Sequence, residues 1–194
     1  MICFAMCGSF CTLSNAFDIL EAMSHSGYDM LPVMSEKTYS TDTRFGKASS
    51  HIERFEEICK KKVIHTVHDA EPIGPKLHPD AMIICPCTGN TLAKIANGIT
   101  DSAVTMATKA HLRNGNPLVI ALATNDALSA NLVNIGTLMA RKNIFFVPMI
   151  QDDPIKKPTS LIAQFDLLPE TLDMALQNKQ LMPLFLNKKP PIQP

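Results

Sequence analysis

No stretch of this 194-residue chain approaches the roughly 20 consecutive apolar residues that a membrane-spanning helix needs. Its opening, MICFAMCGSFC, lacks the basic lead of a signal peptide. Neither sign of charge is in excess, since Lys and Arg total 18 and Asp and Glu total 18, so no global field draws the protein to nucleic acid or to an anionic membrane. These absences predict a cytoplasmic protein. The six cysteines include no CxxC pair: Cys3, Cys7 and Cys11 recur every four residues, and Cys85 and Cys87 merely flank Pro86. That spacing argues against a metal site, so the thiols read as reduced core residues. The chain also lacks a GxGxxG dinucleotide turn and a P-loop lysine.

What is present is an alternation of short apolar runs with helical patterns. The runs ICFAM near residue 2, DMLPVM near 29, AMIIC near 81, PLVIALA near 117 and NIFFVP near 143 are continuous rather than alternating, as in strands covered on both faces. Between them lie LSNAFDILEAMSHSG, HIERFEEICKKK, TLAKIANG, VTMATKAHLRNG and ALSANLVNIGTLMARKN, with Gly27, Gly98 and Gly115 where helices should stop. This order predicts an α/β fold, a three-layer doubly wound parallel sheet of flavodoxin or Rossmann type. One domain is expected over residues 1–180, with an extended tail over 181–194 rich in Pro and Lys, either poorly ordered or strapped across a partner subunit. Met23, Met30, Met106, Met139 and Met149 read as core fillers. The segments 35–50 and 69–80 are polar and too long for simple connectors, which marks them as functional or mobile loops.

Ligands of open parallel sheets bind beyond the carboxyl ends of the strands. At those ends the sequence offers Gly8, Ser9 and Thr12, then Ser35, then Thr88, Gly89, Asn90 and Thr91, then Asn125 beside Thr124 and Asp126. Hydroxyls, amides and glycines in these places suit a phosphate or another anion. Thr88, Asn90, Asn125 or Asp126 taken singly would equally serve as helix caps. The small residues that open the helix after Cys87 predict close approach of a flat ligand to its amides.

PCTGNTLAKIANGITDS at 86–102, GSFCT at 8–12 and LATN at 122–125 resemble motifs of the flavoprotein family that includes the flavin-containing cysteine decarboxylases. The resemblance implies a flavodoxin-like fold, FMN in the site lined by Gly8, Ser9, Thr12, Ser35, Thr88, Gly89, Asn90, Thr91 and Asn125, and oligomers whose interfaces help to enclose the flavin. Two departures count against decarboxylation. Pro72 stands where those enzymes carry a histidine, and Leu122 and Thr124 replace the Pro and Met of their PAMN segment, leaving Asn125.

TDTRFGKA at 41–48, AEPIGPKL at 70–77, TNDALSAN at 124–131 and QDDPIKKP at 151–158 resemble one branch of that family more specifically. That likeness implies an oxidoreductase component working with a second, nicotinamide-binding protein, with NADP the cofactor expected there. The implied substrate is a cyclic hydroxylated tetrahydropyridine dicarboxylate of the lysine/diaminopimelate pathway, converted in the mother cell of a sporulating bacterium to the pyridine dicarboxylate stored by spores. A dicarboxylate calls for cations, and arginine meets a carboxylate with two hydrogen bonds. Arg44 is the expected anchor, with Lys76 as its assistant and Asn125 as the third catalytic candidate; a surface pair with Asp42 is the alternative for Arg44. His78 is a weaker candidate for a general base. The rival functions are a flavin-dependent decarboxylase or prenyltransferase on the same fold, and a non-catalytic scaffold for the nicotinamide-binding partner.

Overall fold

The computed structural model describes residues 1–187. Its strands are β1 (Ile2–Met6), β2 (Met30–Met34), β3 (Ala81–Cys87), β4 (Leu118–Thr124), β5 (Ile144–Phe146), β6 (Met149–Ile150) and β7 (Leu161–Ala163). Its helices are α1 (Leu13–His25), α2 (Glu36–Ser40), α3 (Ala48–Cys59), α4 (Val67–Ala70), α5 (Gly89–Ala96), α6 (Ala103–Leu112), α7 (Leu132–Met139) and α8 (Leu168–Leu176). Strands β2-β1-β3-β4-β5 lie side by side in parallel, while β7 joins β4, and β6 joins β7, antiparallel. The result is a parallel-dominated flavodoxin-like sheet of seven strands rather than a wholly parallel one.

Why the five long runs become strands follows from their two-sided burial. Successive residues of β1 point to opposite faces: Cys3 and Ala5 join one core cluster with Met82, Ile84, Leu118 and Ile120, whereas Phe4 and Met6 join the other with Ile83, Val119 and Ala121. A helix layer covers each face, so neither can be polar. On the second face Phe55 meets Phe4 and Phe17 edge-on, with ring centroids 6.2 and 5.9 Å apart, a geometry that adds about 1 kcal/mol per pair beyond area burial. Gly27, Gly98 and Gly115 do end their helices, at φ of 91°, 72° and 76°, a region where a Cβ is strained.

Several details depart from expectation. The segments 35–50 and 69–80 are partly helical: the first holds α2 and the start of α3, and the second contains the end of α4 and a 3-10 turn at Glu71–Ile73. Met139 is 44% exposed and so is no core filler, whereas Met23, Met30 and Met149 are buried. Five cysteines are buried and free as read, and Cys11 alone is exposed. At the carboxyl end, Leu184 and Leu186 bond to Met149 on either side of a parallel bridge between Met149 and Phe185, so that stretch adds to the sheet edge. The two lysines and the last three prolines of the expected 181–194 tail, at 188–194, lie outside the described residues. Among the described residues no helix is long and apolar enough to cross a membrane.

Candidate functional site

Strand order reverses at β1, whose neighbours β2 and β3 are reached by crossovers in opposite directions. A crevice must open where the connections leave to opposite faces, and Gly8 and Thr88, just beyond β1 and β3, stand at its lip. The Cys7 amide donates to the Pro86 carbonyl at 3.2 Å, which ties the two strand ends together.

Two cavities meet there. The first, about 420 Å³, is lined by Gly8, Phe10, Ser35, Lys37, Thr88, Asn90, Thr91 and Lys94 among others. The second, about 390 Å³, is lined by Gly8, Ser9, Thr12, Arg44, Thr88, Asn125, Asp152 and Lys157 among others. Gly8, Phe10 and Thr88 belong to both walls, so the two form one composite site of a size ordinary for a cofactor beside a small substrate.

The donors on the first wall are organised by helix starts. Ser35 caps α2, its Oγ accepting from the Thr38 amide at 3.4 Å and lying 2.8 Å from Thr38 Oγ1. Thr88 caps α5, accepting from the Thr91 amide at 3.2 Å while its hydroxyl donates to Thr91 Oγ1 at 3.1 Å. Since first-turn amides have no intrahelical partner, those of Gly89 and Asn90 are left for another acceptor. Near β1 the Thr12 hydroxyl donates to the Ser9 carbonyl at 2.9 Å and is 3.0 Å from Ser9 Oγ. A Cβ on Gly8 would come within 3.3 Å of the Phe10 ring, which would have to shift to accept it. Glu36, one acid on this wall, spends one oxygen on the Ala103 amide at 2.9 Å. Asp101, the other, holds Lys94 at 2.8 and 2.9 Å. Amides, hydroxyls and a helix start, with both carboxylates already engaged, are a donor set that fits a phosphate and the flat group attached to it.

Gly89 has a different reason to be small. A Cβ there would lie 2.6 Å from Asn131 Nδ2, 2.6 Å from Thr124 Oγ1 and 2.7 Å from Asp126 Oδ1. The protein's own polar side chains fill the space that a side chain here would need, a reason for glycine that is independent of any ligand. Thr124 and Asp126 bond to each other, and Asn131 donates to Asp126 at 2.8 Å. This network packs closely against the start of α5 at Gly89.

Arg44 sits on a tight turn closed by reciprocal Thr43 and Gly46 backbone bonds of 3.0 and 3.1 Å. It forms no pair with Asp42, whose Oδ1 accepts from the Ala48 amide at 2.8 Å. Its guanidinium stacks on the Phe45 ring, 4.8 Å from the centroid, and among the described residues it has no ion pair. Lys76 and His78 are not brought to this rim. Their segment precedes β3, so it lies at the amino-terminal edge of the sheet, where the Asp80 amide donates to the Met1 carbonyl and the Asn114 side chain to the Gly74 carbonyl. The second cation on the wall of the Arg44 cavity is Lys157, which the sequence did not mark as a site residue. Lys157 lies in the 151–160 loop, which enters β7 beside the carboxyl end of β4 and therefore closes over the rim.

Comparison with known proteins agrees with this architecture. The family model described as Flavoprotein matches residues 1–166. The B subunit of dipicolinate synthase from Bacillus subtilis (strain 168) is 44% identical over 183 residues, 94% of this chain and 92% of that protein. The crystal structure of the corresponding dipicolinate synthase B subunit from Bacillus halodurans C superposes with a TM-score of 0.88 at 41% identity, covering 97% of this chain and 96% of that one. The FMN-dependent cysteine decarboxylase SpaF shares the fold, with a TM-score of 0.65 at 20% identity over 90% of this chain and 95% of that one. With the family's pattern running from β1 to the 3-10 turn before α8, and a crevice of the matching chemistry at the switch point, the chain belongs to the Flavoprotein family.

Proposed function

We propose that this chain is the B subunit of a dipicolinate synthase, an oxidoreductase that completes a pyridine dicarboxylate together with the A subunit of the same enzyme. The observation that carries the reading is the composite site itself: a phosphate-type donor set at the lip runs into a cavity that presents Arg44 and Asn125. The 44% identity to the Bacillus subtilis protein supports it.

In this reading the substrate, a hydroxylated tetrahydropyridine dicarboxylate, loses one water and two hydrogens and becomes aromatic. Arg44 takes a carboxylate in its planar fork, and Asn125 orients the ring; aromatisation supplies the driving force, so the residues chiefly position. FMN, held by Gly8, Ser9, Thr12, Ser35, Thr88, Asn90 and Thr91, supplies a two-electron acceptor when bound. NADP on the A subunit is the second acceptor within reach of the assembled pair. The exposed apolar side chains of α7, Leu132 at 51%, Val133 at 69% and Met139 at 44%, support self-association. The reaction belongs in the cytoplasm of the mother cell of a sporulating bacterium.

Reconstitution of the chain with the A subunit, FMN, NADP and the hydroxylated substrate, followed by pyridine absorbance, tests this. Arg44→Ala should lower turnover by about tenfold or more, the usual cost of a lost charge-assisted hydrogen bond, with complex formation unchanged. Undiminished turnover in a complex that still assembles would reduce this chain to a scaffold.

A further inference from the structure

Two cations on separate loops line the second cavity, and only one of them belongs to the reading above. Lys157 Nζ stands 3.0 Å from Asp152 Oδ2. That contact uses one of its three N–H donors, which leaves two for an incoming anion. The pairing also raises the Lys157 pKa above its ordinary value. Its backbone is held on both sides, the Lys157 amide donating to the Asp153 carbonyl at 2.8 Å and the Ser160 amide to the Lys157 carbonyl at 3.1 Å. The loop is in turn fastened to the strand end by the Thr159 hydroxyl, which donates to the Asn125 carbonyl at 2.6 Å. The Lys157 side chain is about half exposed, at 52%, so its ammonium is reachable by a ligand while the loop that carries it is fixed.

We infer that Lys157 and Arg44 form a two-point clamp for a small planar dianion, each cation taking one carboxylate, and that Lys157 makes the site prefer a dicarboxylate to a monocarboxylate. The inference rests on the reading of this cavity as the substrate site and adds the group that recognises the second carboxylate. The Arg44 guanidinium carbon lies 4.8 Å from the Phe45 ring centroid, and no ion pair among the described residues occupies its N–H donors, which leaves them for the ligand. Asp152 neutralises one of the two positive charges and holds Lys157 to the wall. An empty clamp is thereby kept from recruiting a stray anion with full strength, and a ligand with a single carboxylate gains only the Arg44 contact.

Calorimetric titration of the purified full chain with pyridine-2,6-dicarboxylate and with pyridine-2-carboxylate tests the clamp. The unmodified chain should prefer the dicarboxylate. Lys157→Met should weaken dicarboxylate binding by about tenfold, one charge-assisted contact, and leave the monocarboxylate affinity unchanged. Lys157→Arg should restore the preference. Equal loss of both ligands would reduce Lys157 to ordering its loop, and no loss, or no binding of the dicarboxylate by the unmodified chain, would equally overturn the clamp. An FMN titration of the same variants reads the flavin site separately: intact FMN binding beside a failed clamp removes only this inference, whereas loss of FMN binding from the unmodified chain strikes the broader reading.

Discussion

Asn131 donates to Asp126 across 2.8 Å in the space that any side chain at residue 89 would need. The turn after β4 thereby packs against the start of α5 with no room for a side chain between them. Gly89→Ala should destabilise the fold by about 1–3 kcal/mol through overpacking, because two neighbours would lie 2.6 Å from the new Cβ. Chemical denaturation measures this. An unchanged midpoint would show that the network yields without cost.

Gly8→Val acts on the crevice rather than on the core. Its Cβ would meet Phe10 at 3.3 Å and Thr38 Oγ1 at 3.7 Å, contacts that a partly buried side chain can absorb by shifting. The variant should keep its melting temperature within a few degrees and lose FMN affinity by about tenfold, the equivalent of one lost hydrogen bond to a charged group. Fluorescence titration beside a melting curve separates the two effects.

Acid should weaken the fold through His111. This side chain is fully buried, its Nε2 lies 3.0 Å from the Pro117 carbonyl and its Nδ1 has no partner. Burial holds its pKa below the ordinary 6.5, so the folded state keeps it neutral while the unfolded chain takes up a proton. The stability it contributes is complete above 6.5 and is lost as pH falls below that value toward the folded pKa. His51, also lowered by burial and then by Arg54, shares the sign. The carboxyls of Asp80 and Asp101, held low by the amino terminus and Lys94, lose their contributions only in stronger acid. Melting temperature should therefore decline between about pH 7 and pH 5, the range in which histidine titrates, and His111→Gln should flatten that decline.

Much of the fold was legible because β1 to β5 are buried on both faces and announce themselves as continuous apolar runs. Strands β6 and β7 were not, since two or three residues display no period, and their antiparallel pairing depends on β4 already being in place. The rim was legible at Gly8, Ser35, Thr88 and Asn125 from strand ends alone. The packing reason for Gly89 was not legible, because the side chains that fill the space beside it lie 35 or more residues away in sequence, at and beyond the end of β4. The place of Lys76 away from the rim was legible in the element order, because a segment that leads into a parallel strand lies at that strand's amino-terminal edge. Lys157 gave no such signal, since only the turn of β7 against β4 brings its loop back.

The most direct measurement is titration of the purified full chain with FMN, followed by flavin fluorescence and absorbance. The account predicts saturable binding with a shifted flavin spectrum, weakened in Gly8→Val and intact in Lys157→Met. No binding at high FMN by the unmodified, folded chain would contradict it, and would leave the oxidation to the nicotinamide of the partner.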